Sequence, residues 1–322
     1  MTERPRIILH NDETSSLAKK LAATFPDVAF RECNSYAALP DLVATFQPHV
    51  VYSVRFAGSQ AYPRDALFGP GGPDWVANGG AGTDHYGMWD PDVCTVTNAA
   101  GVAADMMAEY VLGGFLHFTL DIPGLQTDKS ERAWNPRTVV PLSGKTLLII
   151  GLGHTGRAIA ARAKAFGMHV LGTRATPRAM ESVDEVHGSD NLARLLPRAD
   201  FIAVSTPLTP NTHGLLRRAE IASVKPGAIL ADVSRGGVVD QAALETALKS
   251  KHIAAAVLDV FEVEPLPASS GLWDLENVII SPHCSSVYAG WSEASFDMFL
   301  QNLTHWLKGE PLFNVVIPTR GY

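Results

Sequence analysis

The sequence predicts an α/β protein built on a doubly wound parallel sheet, and three observations carry this prediction. Short, continuous apolar runs such as TLLII at 146–150 are typical of parallel strands that are covered on both faces. Segments with helical periodicity alternate with these runs along most of the chain, which is the pattern of βαβ units. One run leads directly into a glycine-rich turn and an alanine-rich helix, at 151–166.

Length and composition leave room for two globular domains and argue against several kinds of partner. The 322 residues are 46% hydrophobic and 18% charged, which are ordinary values for globular proteins. The net charge of −7, without any run of Lys or Arg, argues against nucleic acid and anionic membranes as partners. No apolar stretch reaches transmembrane length and the N-terminus lacks a long apolar segment, so we expect a cytoplasmic protein.

The cysteines and histidines do not show the spacing of a disulfide framework or a metal site. Cys33, Cys94 and Cys284 lie far apart and form no CxxC pair, so reduced thiols are expected. The eleven histidines show no HxxxH or similar ligand spacing. We therefore expect a protein without a bound metal.

The turn after the apolar run at 146–150 reads Gly151-x-Gly153-x-x-Gly156. Gly151 permits a tight turn, Gly153 lets a pyrophosphate approach the backbone, and Gly156 lets the next helix pack close to the strand. A second strand is expected at 168–173, and the N–H groups at the helix start favour a phosphate. The stretch therefore predicts a Rossmann domain that binds a dinucleotide; the alternative is a plain βα turn.

The residue that ends the second strand indicates which dinucleotide is preferred. Sites that prefer NAD usually place Asp or Glu there, bonded to the ribose 2′-hydroxyl. This chain has Arg174, followed by Thr176 and Arg178, and no carboxylate before Glu181. Because guanidinium groups match the charge and acceptor oxygens of a 2′-phosphate, we predict NADP(H), with NAD(H) as the second choice. The alternative is that both arginines are solvated loop residues.

A smaller α/β unit is expected at residues 1–100, with the dinucleotide-binding part inserted after it. Its strands are predicted at 6–10, 28–33, 49–56 and 94–99. A long helix begins near Gly101 and leads away, and the closing segment at 310–318 is able to return to the first unit. We therefore predict a discontinuous substrate domain, 1–100 with 287–322, around an NAD(P)-binding Rossmann domain at 101–286.

The stretch at 58–82 of the smaller unit is rich in glycine and is predicted to be a loop. Gly79, Gly80 and Gly82 are poor helix or strand formers and expose backbone N–H groups. Such groups form a natural cradle for a small anion such as a carboxylate. The alternative is a loop without a ligand.

Three polar residues stand directly after late apolar strands, which are predicted at 228–234, 254–261 and 278–283. These residues are Arg235, Glu264 and His283. The carboxyl ends of parallel strands line one crevice, where the dinucleotide also lies. The three side chains are therefore expected close to the nicotinamide. Taken singly, each also has a structural interpretation, as a cofactor contact, a surface acid or a capped loop histidine.

This set of side chains suits hydride transfer to a 2-oxo acid. Arg235 is able to hold the substrate carboxylate and polarise the carbonyl group. His283 is able to give its proton to the carbonyl oxygen as hydride arrives at carbon. Glu264, bonded to the other ring nitrogen, would orient the imidazole and favour its protonated form.

Three segments resemble signatures of the D-isomer-specific 2-hydroxyacid dehydrogenase family: DVSRGGVVD (232–240), DVFEVEP (259–265) and SPHCSS (281–286). The resemblance extends along nearly the whole chain. It implies a flavodoxin-like, split substrate domain that closes on its ligand and a homodimer formed through the nucleotide-binding domains. It makes Arg235 the substrate-binding arginine, His283 the acid/base and Glu264 its partner. It places Asp259 near the nicotinamide carboxamide; the alternative is a buried cap at the strand end.

The motifs and the resemblance together define the candidate site residues. The candidate cofactor-binding residues are Gly151, Gly153, His154, Thr155, Gly156, Arg174, Thr176, Arg178, Thr206, Pro207, Thr212, Val233, Ser234, Asp259 and Ser285. The candidate substrate-binding residues are Gly80, Ala81 and Gly82, with Arg235 and His283.

Within the family the chain is most similar to NADPH-dependent glyoxylate/hydroxypyruvate reductases, because Arg174 replaces the acidic residue. Trp134 falls where some of those enzymes place an aromatic near the partner's active site; its alternative role is packing. Substrate preference would depend on the loops at 54–58 and 79–83 and on residues near Trp291.

Two other interpretations remain open from the sequence. One is a dehydrogenase of another substrate, such as a bulky 2-oxo acid or phosphite; Glu264 argues against formate, because formate dehydrogenases of this superfamily lack it. The other is a dinucleotide-sensing corepressor-like protein. Such relatives usually prefer NAD(H), whereas this chain carries Arg174.

Overall fold

A computed structural model describes residues 4–56 and 61–319 of the chain. The chain divides into two compact units. The smaller unit spans 1–102 and 288–322, and the larger unit spans 103–287. Of the 54–58 loop that the sequence analysis links to substrate preference, positions 57 and 58 lie outside the described residues.

The smaller unit is a three-layer α/β structure around a five-stranded parallel sheet. Its strands are β1 (Arg6–His10), β2 (Ala29–Cys33), β3 (Val50–Ser53), β4 (Trp75–Asn78) and β5 (Thr95–Asn98), in the order β2-β1-β3-β4-β5. This is the flavodoxin-like order. Its helices are α1 (Ser15–Thr24), α2 (Leu39–Phe46), α3 (Asp65–Phe68) and α10 (Trp291–Lys308).

The two faces of this sheet are covered by different helices, because side chains alternate along each strand. On one face, Ile7 and Leu9 of β1 pack in a cluster with Leu17 of α1 and Phe296 of α10. On the other face, Ile8 lies in a cluster with residues of α2 and α3. The closing segment adds an isolated antiparallel bridge between Thr97 and Val315.

Strand β4 corrects the sequence interpretation of the stretch at 58–82 as loop throughout. All four residues of Trp75–Asn78 are buried between β3 and β5. The strand was missed because glycine and proline dominate the preceding residues, and because a strand buried on both faces shows no alternation of polar and apolar residues. The glycine-rich loop proper begins at Gly79.

The larger unit is a doubly wound sheet of seven parallel strands, as the sequence predicts. The strands are β6 (Thr146–Ile150), β7 (His169–Thr173), β8 (Glu185–His187), β9 (Phe201–Val204), β10 (Ala228–Asp232), β11 (Ile253–Leu258) and β12 (Val278–Ile280). Their order is β12-β11-β10-β9-β6-β7-β8. The winding direction reverses between β6 and β9, and such a switch point opens a crevice at the carboxyl ends of the strands.

The described part of this unit has six α-helices. They are α4 (Ala104–Thr119), α5 (Ile122–Glu131), α6 (His154–Ala165), α7 (Leu192–Leu195), α8 (Arg218–Ser223) and α9 (Gln241–Lys249). Helix α4 lies close to the sheet at Gly114, where an added Cβ would come within 2.5 Å of Val257 Cγ2 in β11. Asp240 caps α9, since its side chain accepts a hydrogen bond from Ala243 N at 2.9 Å.

The polar stretch at 126–141 is not a plain connection, because its first part completes helix α5. Arg137 forms ion pairs with Asp121 and Asp128, which fix the following loop against the helix. Trp134 in that loop is 95% exposed. A packing role for Trp134 inside this chain is therefore wrong.

The structure adds three observations on membranes, thiols and metals. Across residues 4–56 and 61–319, no helix combines the length and apolarity needed to cross a bilayer. Cys33 and Cys94 are buried free thiols, whereas Cys284 is exposed. Within the same described ranges, no group of three or more His, Cys, Asp or Glu residues is arranged to hold a metal ion.

Candidate active site

The glycine turn after β6 has the backbone geometry expected of a dinucleotide loop. Gly151 has φ +103°, and a Cβ there would lie 2.8 Å from Thr206 N. A Cβ at Gly156 would lie 2.0 Å from Gly151 O, so α6 starts in direct backbone contact with the turn. At Gly153, by contrast, an added Cβ has no atom of the described chain within 4 Å. The turn is thus closed on the protein side and open at its middle glycine.

Hydrogen bonds join this turn to the ends of both neighbouring strands, from the backbone on one side and from a serine hydroxyl group on the other. Gly151 N and Leu152 N donate to Thr173 O at 3.2 and 3.0 Å, at the end of β7. On the other side, Ser205 Oγ donates to Gly151 O at 2.9 Å. The next residue after β7, Arg174, therefore starts beside the glycine turn.

The arginine segment after β7 is available for an anion. Arg174 N donates to His187 O at 3.0 Å, and Arg174 Nη1 lies 3.3 Å from Met180 Sδ. Thr176 and Arg178 are exposed, and Arg178 has no hydrogen-bond or ion-pair partner in the part of the chain that the structure describes. No carboxylate of the described residues neutralises the two guanidinium groups. Their positive charge is therefore available for a 2′-phosphate.

His154 and Thr155 open helix α6. Two causes lower the pKa of the His154 imidazole below its ordinary value. The larger is burial away from water, and the smaller is the positive charge of the nearby Arg157 guanidinium. Thr155 Oγ1 lies 3.6 Å from Met107 Sδ of α4. At neutral pH the helix start therefore carries an uncharged imidazole next to its N–H groups.

The turn after β9 is held by a threonine. Thr212 Oγ1 donates to Pro207 O at 2.6 Å and accepts from Thr209 N at 2.8 Å. This closes the turn that begins at Thr206, the residue in contact with Gly151. Thr206, Pro207 and Thr212 therefore lie in one short structure next to the glycine turn.

His283 and Glu264, which the sequence places after β12 and β11, are directly bonded. His283 Nδ1 lies 2.8 Å from Glu264 Oε2, and both side chains are more than one third exposed. The other carboxylate oxygen, Glu264 Oε1, accepts from Phe261 N at 3.0 Å. His283 has φ +53°, a backbone conformation that side-chain-bearing residues seldom adopt. The pair therefore leaves Nε2 of the imidazole as the outward nitrogen.

Arg235 follows β10 on a turn locked to the Glu264 segment. A Cβ at Gly236 would lie 1.9 Å from Phe261 O, so only glycine permits this backbone contact. Arg235 Nη1 donates to Ser234 O at 2.7 Å. The two loops that carry the guanidinium and the carboxylate are thus fixed to each other.

Asp232, at the end of β10, is buried beneath Arg235. Burial raises the pKa of its carboxyl group to about 7, although two hydrogen bonds from Ser234 oppose the shift. Ser234 Oγ is itself engaged, since it donates to Asp232 Oδ1 at 2.5 Å. Below neutral pH the carboxyl group is protonated, and it then does not offset the charge of Arg235.

Asp259 holds the loop that carries His283. Its Oδ1 accepts from Ser281 Oγ at 2.5 Å and from Cys284 N at 2.8 Å, and its Oδ2 accepts from Ser285 Oγ at 2.6 Å. Asp259 is 1% exposed. Both oxygens are thus committed to residues 281–285, which agrees with the alternative interpretation of this aspartate as a buried cap at the strand end.

Tyr110 of α4 extends this arrangement and was also missed as a site residue. Its hydroxyl group lies 2.6 Å from Ser281 Oγ. The two residues are 171 positions apart, so no local pattern links them.

In the smaller unit, the candidate residues Gly80, Ala81 and Gly82 form the loop directly after β4. Asn78, the last residue of that strand, donates through Nδ2 to Gly80 O and Gly82 O at 2.8 and 2.9 Å. The loop is therefore an ordered structure.

Comparison with known proteins identifies the larger unit. Residues 112–285 match the family described as D-isomer specific 2-hydroxyacid dehydrogenase, NAD binding domain. A crystal structure of a D-isomer specific 2-hydroxyacid dehydrogenase from Xanthobacter autotrophicus Py2, in complex with NADPH and MES, has a similar fold. The TM-score is 0.84 at 31% identity, over 99% of this chain and 100% of that one.

Two sequence relatives carry different activities in their names. A glyoxylate reductase of Korarchaeum cryptofilum is 35% identical over 231 residues, which are 69% of this chain and 68% of the relative. A D-3-phosphoglycerate dehydrogenase of Methanocaldococcus jannaschii is 36% identical over 251 residues, or 75% of this chain. This chain thus spans only about half, 47%, of the length of that phosphoglycerate dehydrogenase.

The strand order and the glycine turn define the larger unit as a dinucleotide-binding domain. The chain belongs to the D-isomer specific 2-hydroxyacid dehydrogenase family. The family and the fold class expected from the sequence are therefore confirmed. The family consists of NAD(P)-dependent oxidoreductases, which confirms the predicted class of protein.

Two glycine variants should separate the structural and the ligand-binding roles of the turn. Gly156→Ala forces a Cβ onto Gly151 O, and we expect a loss of about 1–3 kcal/mol of stability. Gly153→Ala meets no neighbouring atom, so its thermal unfolding should match wild type while dinucleotide affinity falls. Thermal unfolding and dinucleotide titration measure the two effects. Wild-type stability of Gly156→Ala would contradict the assigned contact.

Proposed function

We propose that this protein reduces a small 2-oxo acid of the glyoxylate or hydroxypyruvate type to the D-2-hydroxy acid, with NADPH. The observation that carries the proposal is the 2.8 Å bond between His283 Nδ1 and Glu264 Oε2, in the same unit as the glycine turn. The relative named glyoxylate reductase, at 35% identity, supports the choice of substrate.

The proposed roles follow from the chemistry of each side chain. NADPH supplies a hydride when it is bound. Arg235 holds the substrate carboxylate and polarises the carbonyl, and His283 Nε2 gives its proton to the carbonyl oxygen. Glu264, fixed by Phe261 N, orients the imidazole through its bond to Nδ1. Asp259 keeps the His283 loop in place through its bonds to residues 281–285.

The residues around the glycine turn fit a phosphorylated dinucleotide. Gly153 leaves the backbone open to a pyrophosphate, and the N–H groups of α6 point toward it. Arg174 and Arg178 would hold the 2′-phosphate, with Thr176 as a hydroxyl donor. The Xanthobacter structure, a relative at 31% identity, was crystallised with NADPH, which supports this preference.

A second substrate class deserves testing because of one observation. The phosphoglycerate dehydrogenase of Methanocaldococcus jannaschii is as similar to this chain as the glyoxylate reductase is. Oxidation of a phosphorylated D-2-hydroxy acid by NADP+ is therefore the second candidate. In either case we propose that residues 1–102 and 288–322 form the substrate domain.

We also propose a homodimer formed through the nucleotide-binding domains. Apolar side chains stay exposed on α5 and the adjoining segments, with exposed fractions of 45% for Leu125, 95% for Trp134 and 47% for Val140. The ion pairs of Arg137 keep the Trp134 loop ordered. An ordered loop that presents a bare indole suits burial against a second copy.

The activity is tested by initial rates of NADPH oxidation with glyoxylate, hydroxypyruvate, pyruvate and a bulky 2-oxo acid. We expect rapid turnover of the small acids. His283→Ala should lower kcat by at least about 10²-fold with unchanged NADPH affinity, because the proton donor is lost. His169→Ala is the matched control, because His169 is the first residue of β7 and thus lies at the amino-terminal end of its strand. Turnover only of D-3-phosphoglycerate with NADP+ would instead select the second candidate.

The cofactor preference is tested with Arg174→Asp. Loss of a charge-assisted hydrogen bond and addition of a negative charge should weaken NADPH binding by about 10–100-fold. NADH binding should be unchanged or stronger. Arg194→Asp, an exposed arginine on α7, serves as the control. An equal loss of affinity for both dinucleotides would rule out recognition of the 2′-phosphate.

The dimer is tested with Trp134→Ser. Sedimentation velocity should show a wild-type dimer and a variant shifted toward monomer, because the variant lacks the indole that the proposed dimer buries. Trp273→Ser replaces another exposed indole of the same unit, 52% exposed, and should leave the dimer intact. A wild-type protein that stays monomeric at micromolar concentration would refute the proposal.

A further inference from the structure

The loop after β4 in the smaller unit has its carbonyl groups turned inward by side chains. Asn78 Nδ2 donates to Gly80 O at 2.8 Å and to Gly82 O at 2.9 Å. One buried amide group thus holds two carbonyl groups of the loop, two and four residues further along the chain. Ala99 N adds a second bond to Gly80 O at 2.9 Å.

Two further side chains hold the remaining carbonyl groups. Asn98, at the end of β5, donates through Nδ2 to Ala81 O at 2.7 Å. Ser295 of α10 donates through Oγ to Gly79 O at 2.6 Å. Four consecutive carbonyl groups, from Gly79 to Gly82, are therefore bonded to the body of the unit.

This arrangement determines where the N–H groups point. The peptide unit is planar and trans, so the carbonyl of one residue and the N–H of the next point in opposite directions. Inward carbonyl groups at Gly79, Gly80 and Ala81 direct the N–H groups of Gly80, Ala81 and Gly82 outward. Within residues 4–56 and 61–319, these three N–H groups have no acceptor.

The orientation of the Asn78 amide is itself fixed by a buried phenol. Tyr86 OH donates to Asn78 Oδ1 at 3.1 Å, which leaves Nδ2 for the loop carbonyls. Tyr86 is fully buried, and this burial raises the pKa of its hydroxyl group well above the ordinary value. The hydroxyl group therefore stays a donor at every working pH.

A polar network lies behind Tyr86 in the same unit. The rings of Tyr62 and Tyr86 have centroids 5.4 Å apart, and the Tyr62 hydroxyl is bonded to Ser53 Oγ. Ser53 Oγ in turn lies 2.8 Å from His10 Nδ1. Burial lowers the pKa of His10 to about 4, so this end of the network is neutral. The part of the network that runs from Tyr62 through Ser53 to His10 thus keeps its charge near neutral pH.

We propose that Asn78 and Asn98 are positioning residues, with Tyr86 orienting Asn78, that aim three backbone N–H groups at the substrate carboxylate. Three N–H donors that have no acceptor among the described residues suit a single carboxylate, as in other anion-binding backbone turns. This inference rests on the proposed function for the identity of the ligand. The geometry of the donors stands independently of it.

Removing the side-chain amide of Asn78 or Asn98 should raise KM by a larger factor than it lowers kcat. A carboxylate anchor binds the ground state and the transition state alike, so its loss appears mainly as uniform binding. We expect Asn78→Ala and Asn98→Ala to raise KM for the 2-oxo acid by about 10-fold or more, with NADPH affinity unchanged. Tyr86→Phe keeps the ring and removes only the donor, and it should raise KM in the same direction.

The control is Asn302→Ala in the same unit. Asn302 is equally buried and bonds the backbone of Phe313 through both amide atoms, at 3.0 Å each. Its removal should lower the thermal stability but leave KM unchanged, as a merely structural asparagine would. If Tyr86→Phe and the foldable asparagine variants all keep the wild-type KM, the inference is wrong.

A binding measurement separates this inference from the proposed activity. Oxamate, an unreactive carboxylate analogue of a 2-oxo acid, is titrated while the amide signals of Gly80, Ala81 and Gly82 are followed by NMR. Shifts of these amides in wild type that disappear in Tyr86→Phe support the inference, even if no 2-oxo acid is turned over. Unshifted amides at saturating oxamate, in an enzyme that does turn over 2-oxo acids, overturn it.

Discussion

Close contact between backbone segments at glycine is the constraint on which the larger unit depends. At Gly156, Gly151 and Gly236 an added Cβ would stand 2.0, 2.8 and 1.9 Å from a backbone atom of another segment. The contact at Gly156 holds the dinucleotide turn against helix α6, and the contact at Gly151 holds it against the end of β9. The third locks the Arg235 loop to the segment that carries Glu264. Parallel strands bring these loops to one edge of the sheet, and the glycines determine how tightly the loops pack there.

A buried carboxyl group and a tyrosine hydroxyl group support the exposed pair of His283 and Glu264. Asp259 commits both oxygens to residues 281–285, and Tyr110 reaches the same loop through Ser281. This support opposes the cost of holding His283 at φ +53°, which is of order 1–3 kcal/mol. The imidazole orientation therefore results from a chain of contacts that begins on α4 and ends at the loop after β12. An imidazole on an unsupported loop would lose its bond to Glu264 much of the time.

The sequence predicted those features that depend on neighbouring residues. The bounds of β6 and the glycine turn that follows it are set by local patterns, and the structure agrees with them. Strand β4 was missed because four buried residues show no period. The contacts of Tyr110 and Asn98 were missed for another reason: Tyr110 meets Ser281 across 171 positions, and Asn98 meets Ala81 across 17. No local pattern specifies such partners, because the fold alone brings them together.

The two units use different chemistry for the ligands we propose, and this has a consequence for pH dependence. The loop of Gly80 to Gly82 offers backbone N–H groups, which do not titrate, and its supports Tyr86 and His10 keep one charge state near neutral pH. The larger unit instead has the buried carboxyl group of Asp232 beneath Arg235, and burial raises the pKa of this group to about 7. The proposed carboxylate anchor of the smaller unit thus consists of groups that do not titrate themselves, whereas protonation of Asp232 near neutral pH leaves the charge of Arg235 without an offset.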